Sequence, residues 1–246
     1  MSKLNPKAVI FDLGSTLIEY ESIPWPELSI HCAARAREVL LEKGFSLPDE
    51  SNFYQSFEKV KEKHRQVATE KLIEWSIPQA AEDLLQSLNV NSDKNTVDLF
   101  FDGFYQPVHE RLFVYDDTAE TLNKIKNNNI KIGLISNTIF PAETHIGELN
   151  RFNIHSFFEF KIFSSSFKLR KPHPDIFKHA VKLSGFTPEE CVYVGDRYYE
   201  DIEGPHGIGM PAVLKIKKDR EYPDEMPLAK WKISKLSELC SIFDLK

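Results

Sequence analysis

Apolar residues fall into two different rhythms along this chain. Ala8-Val9-Ile10-Phe11 is a continuous apolar run that ends at Asp12, the pattern of a strand buried on both faces. From about Ile23 to Phe104 β-branched runs are scarce, and apolar positions recur at helical spacing instead. That spacing predicts a helix over residues 28–43 stopped by Gly44, and a second over 53–71. A third begins near Pro78, with Ala81, Leu84, Leu85 and Leu88 on one face. A fourth carries Val97, Leu99, Phe100 and Phe101 and ends near Gly103. Four helices over such a span can form a small bundle of their own.

From Val114 onward the rhythm alternates. Asp117 is placed to cap a helix with Ala119, Leu122 and Ile125 on its inner face, before the Asn127-Asn128-Asn129 stop. Strands are predicted at 130–135, 158–163, 191–195, 211–216 and 231–233. Helices are predicted at 142–150, from Pro174 to Gly185, at 199–208 and at 236–242. Strands alternating with helices predict an α/β fold, a mostly parallel Rossmann-like sheet with helices on both faces. The chain then divides into a core made of residues 1–19 and 110–246 and an inserted all-helical domain of residues 20–109. In such sheets ligands bind beyond the C-terminal strand ends. Asp12, Ser136 and Asp196 each sit at or just past such an end.

Charge and composition narrow the partners. A net charge of −6 gives no electrostatic case for nucleic acid, and an anionic substrate would need local cations. Three cysteines, Cys32, Cys191 and Cys240, lie far apart and do not read as a disulfide framework. No apolar run approaches the ~20 residues of a membrane span. The N-terminal residues run straight into a strand and lack a signal-peptide pattern, so the expected location is the cytoplasm. Nothing in the pattern sets an oligomeric state.

Four short segments carry the chemistry. A carboxylate at Asp12 can attack phosphorus, and the small residues Gly14, Ser15 and Thr16 let backbone N–H groups approach phosphate oxygens. The competing reading is an Asp that merely caps a turn. Ser136 and Asn137 offer a hydroxyl and an N–H at the next strand end. Lys171, next to Pro172 and a helix entry, can offset charge on nucleophile and phosphate, although Lys168 and Arg170 also make it part of a charge run. Asp196 and Asp201, together with Asp12, supply hard oxygen ligands of the kind Mg²⁺ takes. Loop acids on a surface are the alternative.

In this order, Asp12–Leu17, Ser136, Lys171 and Gly195-Asp196 followed by Asp201 resemble the haloacid dehalogenase (HAD) superfamily. The resemblance covers nearly the whole chain, and the helical insert looks like the family's C1-type cap. It implies a Mg²⁺-dependent phosphohydrolase acting on a small phosphorylated metabolite through an aspartyl-phosphate. By that resemblance Asp12 is the nucleophile, Ser136 a phosphate contact with Ser15, Thr16 and Asn137 around it, and Lys171 the charge partner. Asp12, Asp196, Asp201 and the backbone carbonyl of Gly14 would surround the metal.

One position departs from the pattern. Phosphatases of the family usually carry Asp where this chain has Gly14, and that Asp protonates the leaving group. General acid–base help of this kind is worth roughly 10²–10⁴-fold. Its loss favours substrates with good leaving groups, or a surrogate such as Glu19, or a site that binds phosphate with little turnover. A 2-haloacid dehalogenase-like reaction also uses an Asp nucleophile without that second Asp. It wants a cap Arg, for which Arg35 and Arg37 are present but are explained as helix surface charge. Tyr20, Trp25, His31 and Phe104 could line the insert's inner face, although aromatics at helical spacing are more often core. His145 and His173 lie near the motif loops.

Overall fold

Six short runs pair into one sheet, and those at 8–11, 191–195 and 212–215 are buried along their whole length, as strands covered on both faces are. The computed structural model describes residues 3–245. The strands are β1 (Ala8–Phe11), β2 (Ile18–Glu19), β3 (Phe113–Val114), β4 (Lys131–Ser136), β5 (Phe160–Phe163), β6 (Cys191–Gly195), β7 (Ala212–Lys215) and β8 (Trp231–Ile233). The six-stranded sheet runs β5-β4-β1-β6-β7-β8, and every pairing in it is parallel. β2 and β3 lie outside it.

Strand order and register place the chemistry. β1 lies between β4 and β6, with Phe11 opposite both Leu134 and Val194. The residues that leave these three strands therefore emerge side by side at one edge, where the chain reverses its direction of winding. One face of the sheet is packed by Ile10, Ile135, Tyr193 and Leu214 against Ile176, Phe177 and Ala180. These last three come from a helix over Pro174–Ser184 that Gly185 closes in the left-handed conformation.

The chain divides into two compact units, one running to Glu19 and resuming at Val114, the other Tyr20–Phe113. The second unit holds α1 (Trp25–Glu42), α2 (Glu50–Lys71), α3 (Ile77–Ser87) and α4 (Lys94–His109). Asp49, Ser76 and Asp93 cap α2, α3 and α4 by accepting from the N–H groups of Asn52, Gln79 and Thr96. Phe53, Phe57, Phe100 and Phe104 are fully buried among one another. Phe104 is thus a core residue of this unit and does not line a ligand surface.

Three sequence expectations are corrected. α4 does not end near Gly103 but continues to His109. Gly103 is a close-approach residue: a Cβ there would come within 2.9 Å of the Ala36 Cα on α1. Asp117 precedes the helix Thr118–Asn127 (α5) but does not cap it, and its carboxylate accepts instead from the N–H of Ser237 at 2.9 Å. The helix expected at 199–208 begins as a π-helical turn, Tyr198–Glu203. The remaining long helices, α6 (Ala142–Arg151) and α7 (Pro174–Ser184), fall where the spacing puts them.

Candidate active site

Asp12 leaves β1 with its N–H bound to the Val194 carbonyl at 2.8 Å, and its side chain is buried. Lys171 enters from the loop before α7 and is 2% exposed. Its Nζ donates to Asp12 Oδ1 at 2.7 Å, to Asp201 Oδ1 at 2.6 Å and to the Tyr193 hydroxyl at 2.8 Å. Asn137 holds the lysine's backbone from both sides: Lys171 N donates to Asn137 Oδ1 at 2.7 Å, and Asn137 Nδ2 donates to Lys171 O at 3.0 Å. The Asn137 side chain is therefore a brace for Lys171. Ser136 is buried at the end of β4.

The two later acids are arranged differently from each other. Asp201 lies on the π-helical turn, a deformation common at functional sites. Its Oδ2 accepts from the N–H groups of Asp196 at 3.1 Å and Arg197 at 2.9 Å, while Oδ1 takes the lysine. Gly195 makes room for this: a Cβ there would fall 2.4 Å from the Asp201 Cγ. Asp196 Oδ2, in contrast, is buried and accepts no hydrogen bond among the described residues. Its charge is met by Arg220 Nη2 at 3.0 Å, off the hydrogen-bonding line.

Asp12, Asp196 and Asp201 each place a carboxylate oxygen within 4.8 Å of the other two. Burial pushes the Asp12 carboxyl up; Lys171 pulls against that shift and Asp201 adds to it. Burial, then the charges of Asp12 and Asp201, push the Asp196 carboxyl up to about 8. Burial works against the charge on Lys171, but Asp12 and Asp201 outweigh it and hold the ammonium well above its ordinary value. Three converging hard oxygen donors, one with a buried oxygen that takes no hydrogen bond among the described residues, and two carboxyls, Asp12 and Asp196, raised by burial and by neighbouring acids fit a small divalent cation.

The loop after Asp12 is tightly turned. Leu17 and Ile18 both donate to the Leu13 carbonyl, and Ser15 N donates to Ile18 O at 2.7 Å. The Thr16 hydroxyl donates to Asp12 Oδ2 at 3.1 Å. The N–H groups of Leu13, Gly14 and Thr16 have no acceptor among the described residues. The polar groups of Ser15 are engaged within the protein. Its N–H goes to Ile18, and its hydroxyl donates to Glu19 Oε1 at 3.2 Å and accepts from Lys217 Nζ at 3.0 Å. Glu19 also takes Lys217 Nζ at 2.9 Å and the Tyr115 hydroxyl at 2.5 Å. A carboxylate tied to three donors is a poor surrogate acid. His145 is buried as well, between the Thr138 hydroxyl and Glu148, each at 2.6 Å.

Sequence reasoning missed Tyr193, Lys215, Lys217 and Arg220 as parts of this neighbourhood. Tyr193 carries the one hydroxyl in the apolar run Cys191–Gly195, which is a readable signal for a polar task. Lys215 ends β7 and Lys217 lies two residues beyond it, a spacing of two that puts side chains of extended backbone on one side. Arg220 sits in a loop and carries no such signal.

The profile of the haloacid dehalogenase-like hydrolases matches residues 6–209. The chain belongs to this family. Among relatives, this HAD-like hydrolase is 27% identical over 222 residues to the glyceraldehyde 3-phosphate phosphatase of Methanopyrus kandleri, over 90% of this chain and 88% of that one. It is 26% identical over 245 residues to the Pyrococcus furiosus enzyme of the same name, over 97% and 93% of the two chains. Of solved structures, a 2-haloacid dehalogenase from Pseudomonas syringae pv. Tomato DC3000 superposes with a TM-score of 0.72 at 21% identity, over 99% of both chains. A HAD phosphatase from Thermococcus onnurineus gives 0.66 at 22% identity, over 96% of both. At such identities the two structures establish the shared fold.

Proposed function

We propose that this HAD-like hydrolase is a Mg²⁺-dependent phosphohydrolase of small phosphorylated metabolites, with Asp12 as nucleophile and residues 20–113 as its cap. The observation that carries the reading is the buried Asp12 carboxylate, gripped by Lys171 and Thr16 beside Asp196 and Asp201. The archaeal relatives are glyceraldehyde 3-phosphate phosphatases, enzymes named for removing phosphate from a phosphorylated triose, and this supports the substrate class. Free cysteines, two of them buried, agree with a reducing cytoplasm.

Each residue then has a task. A carboxylate oxygen of Asp12 attacks phosphorus, and the bond to the leaving oxygen breaks with its electron pair going to that oxygen. Lys171 keeps Asp12 ionised and oriented. The Leu13, Gly14 and Thr16 N–H groups and the Ser136 hydroxyl meet the phosphoryl oxygens. Asp12, the Gly14 carbonyl and Asp196 would hold Mg²⁺, with Asp201 steadying the Asp196 loop; the ion supplies positive charge at the transferring group. Water then attacks the phosphorus of phospho-Asp12 and releases inorganic phosphate.

No side chain at position 14 can protonate the leaving oxygen, and Glu19 is tied to three donors. The leaving group therefore draws its proton from solvent, which favours aryl, acyl or anhydride phosphates. Dehalogenation is disfavoured by the acid pair, and Arg35 is engaged with Glu38, Glu42 and Gln106 on the helical unit. The test is phosphate release from 4-nitrophenyl phosphate and from glyceraldehyde 3-phosphate, with and without Mg²⁺, using Asp12→Asn as the blank. Release that needs both Mg²⁺ and Asp12 and is faster from the aryl ester supports the reading. Halide release from a 2-haloacid without phosphate release from either ester would overturn it.

A further inference from the structure

Ser15 is the one residue of the nucleophile loop held in the left-handed region, with φ of 58°. A side chain at such a φ is strained, because Cβ crowds the following carbonyl, and glycine is the residue that adopts it freely. A serine there persists only when its surroundings over-determine the conformation. Two lysines from the far end of the chain do this. Lys215, 5% exposed at the end of β7, donates Nζ to the Ser15 carbonyl at 2.8 Å and lies 3.5 Å from the centre of the Tyr115 ring. Lys217, two residues on, donates Nζ to the Ser15 hydroxyl at 3.0 Å and to Glu19 Oε1 at 2.9 Å. With the Ser15 N–H bound to Ile18, every polar group of Ser15 is engaged. The charge of the acid cluster is met elsewhere, by Lys171 and Arg220.

We infer that Lys215 and Lys217 form a clamp that holds Ser15 left-handed and so positions the nucleophile loop for phosphoryl transfer. Ser15 stands between Gly14 and Thr16, whose N–H groups have no acceptor among the described residues, and Thr16 binds the nucleophile directly. Letting Ser15 relax to negative φ turns the peptide planes on both sides of it. That swings the Thr16 hydroxyl off Asp12 and disperses the N–H groups. The two lysines are positioning residues: they act on the reacting atoms only through Ser15. The inference rests on the phosphohydrolase reading for its kinetic arm.

The test is a double-mutant cycle of Lys217→Met and Ser15→Gly, with Lys217→Arg as the conservative variant. Glycine takes a positive φ without strain, so the clamp is redundant in the Ser15→Gly background. Lys217→Met should lower kcat for 4-nitrophenyl phosphate on the order of 10–100-fold in the parent, with KM moving far less. The same change should lower kcat by less than about 3-fold in the Ser15→Gly background, a coupling that a merely structural role would not produce. Lys217→Arg should restore most of the loss. Equal losses in both backgrounds would overturn the clamp, as would no loss in the parent. A second readout, binding of inorganic phosphate followed by ³¹P NMR, is independent of turnover. If the parent binds phosphate without hydrolysing any ester, the same coupling in phosphate affinity supports the clamp while the hydrolase reading fails. No phosphate binding by the parent would overturn both.

Discussion

Replacing Lys171 by methionine tests how the site is held together. Methionine keeps most of the side-chain volume and removes the ammonium that bonds Asp12, Asp201 and the Tyr193 hydroxyl. Breaking a buried pair by deleting one partner costs about 3–5 kcal/mol, because the other charge is left without compensation. For a chain of this length that corresponds to a fall in Tm of roughly 6–20 °C. The loss must also depend on pH. Asp12 is already raised by burial, and losing the lysine raises it further. A carboxyl whose folded value lies above its unfolded value contributes stability in acid that is lost as pH rises through the folded value. Lys171→Met should therefore be far less stable than the parent at about pH 8, and the gap should narrow at about pH 5. Added Mg²⁺ should recover part of the loss by supplying the missing positive charge. Urea unfolding followed by circular dichroism at both pH values, with and without Mg²⁺, reads all three. A loss below about 1 kcal/mol at pH 8, or one identical at the two pH values, would refute the assignment of Lys171 as the charge that holds the acids.

Three further outcomes follow from the same geometry. Gly14→Asp should raise turnover of an alkyl phosphate by about 10-fold or more while changing an aryl phosphate little, because general acid help matters most for poor leaving groups; a Brønsted series in both proteins checks it. The Asp196 carboxyl, raised to about 8, must lose its proton to bind a cation. Mg²⁺ affinity by calorimetry should accordingly rise by up to about tenfold per pH unit below that value and level off above it. Burial pushes the Cys32 thiol up to about 12 and raises Cys191 as well, and only Cys240 is partly accessible. A disulfide reagent in native buffer should label Cys240 quickly and the other two only on unfolding, as peptide mapping would show.

The core was legible because strand residues buried on both faces write continuous apolar runs, and three of those runs ended at or beside a residue with chemistry. Asp12, Ser136 and Asp196 could be placed at one sheet edge from that pattern alone. The path of α4 was not legible, since Gly103 reads as a stop in one dimension and as a helix–helix contact in three. Asn137 shows the same limit: an amide after a strand suggests a ligand contact, but its two bonds to the Lys171 backbone span 34 residues. Lys215 and Lys217 reach Ser15 across about 200 residues of chain, and no local signal encodes such a bond.

The central claim is that Asp12 becomes phosphorylated during turnover. Acid quenching of the enzyme with an aryl phosphate and Mg²⁺, borohydride reduction and peptide sequencing by mass spectrometry test it directly, because an acyl phosphate is reduced to the alcohol whereas a free carboxylate is not. The account predicts homoserine at position 12, formed only with substrate present and absent in Asp12→Asn. Phosphate release with an unmodified Asp12, or reduction at another acid, would contradict it.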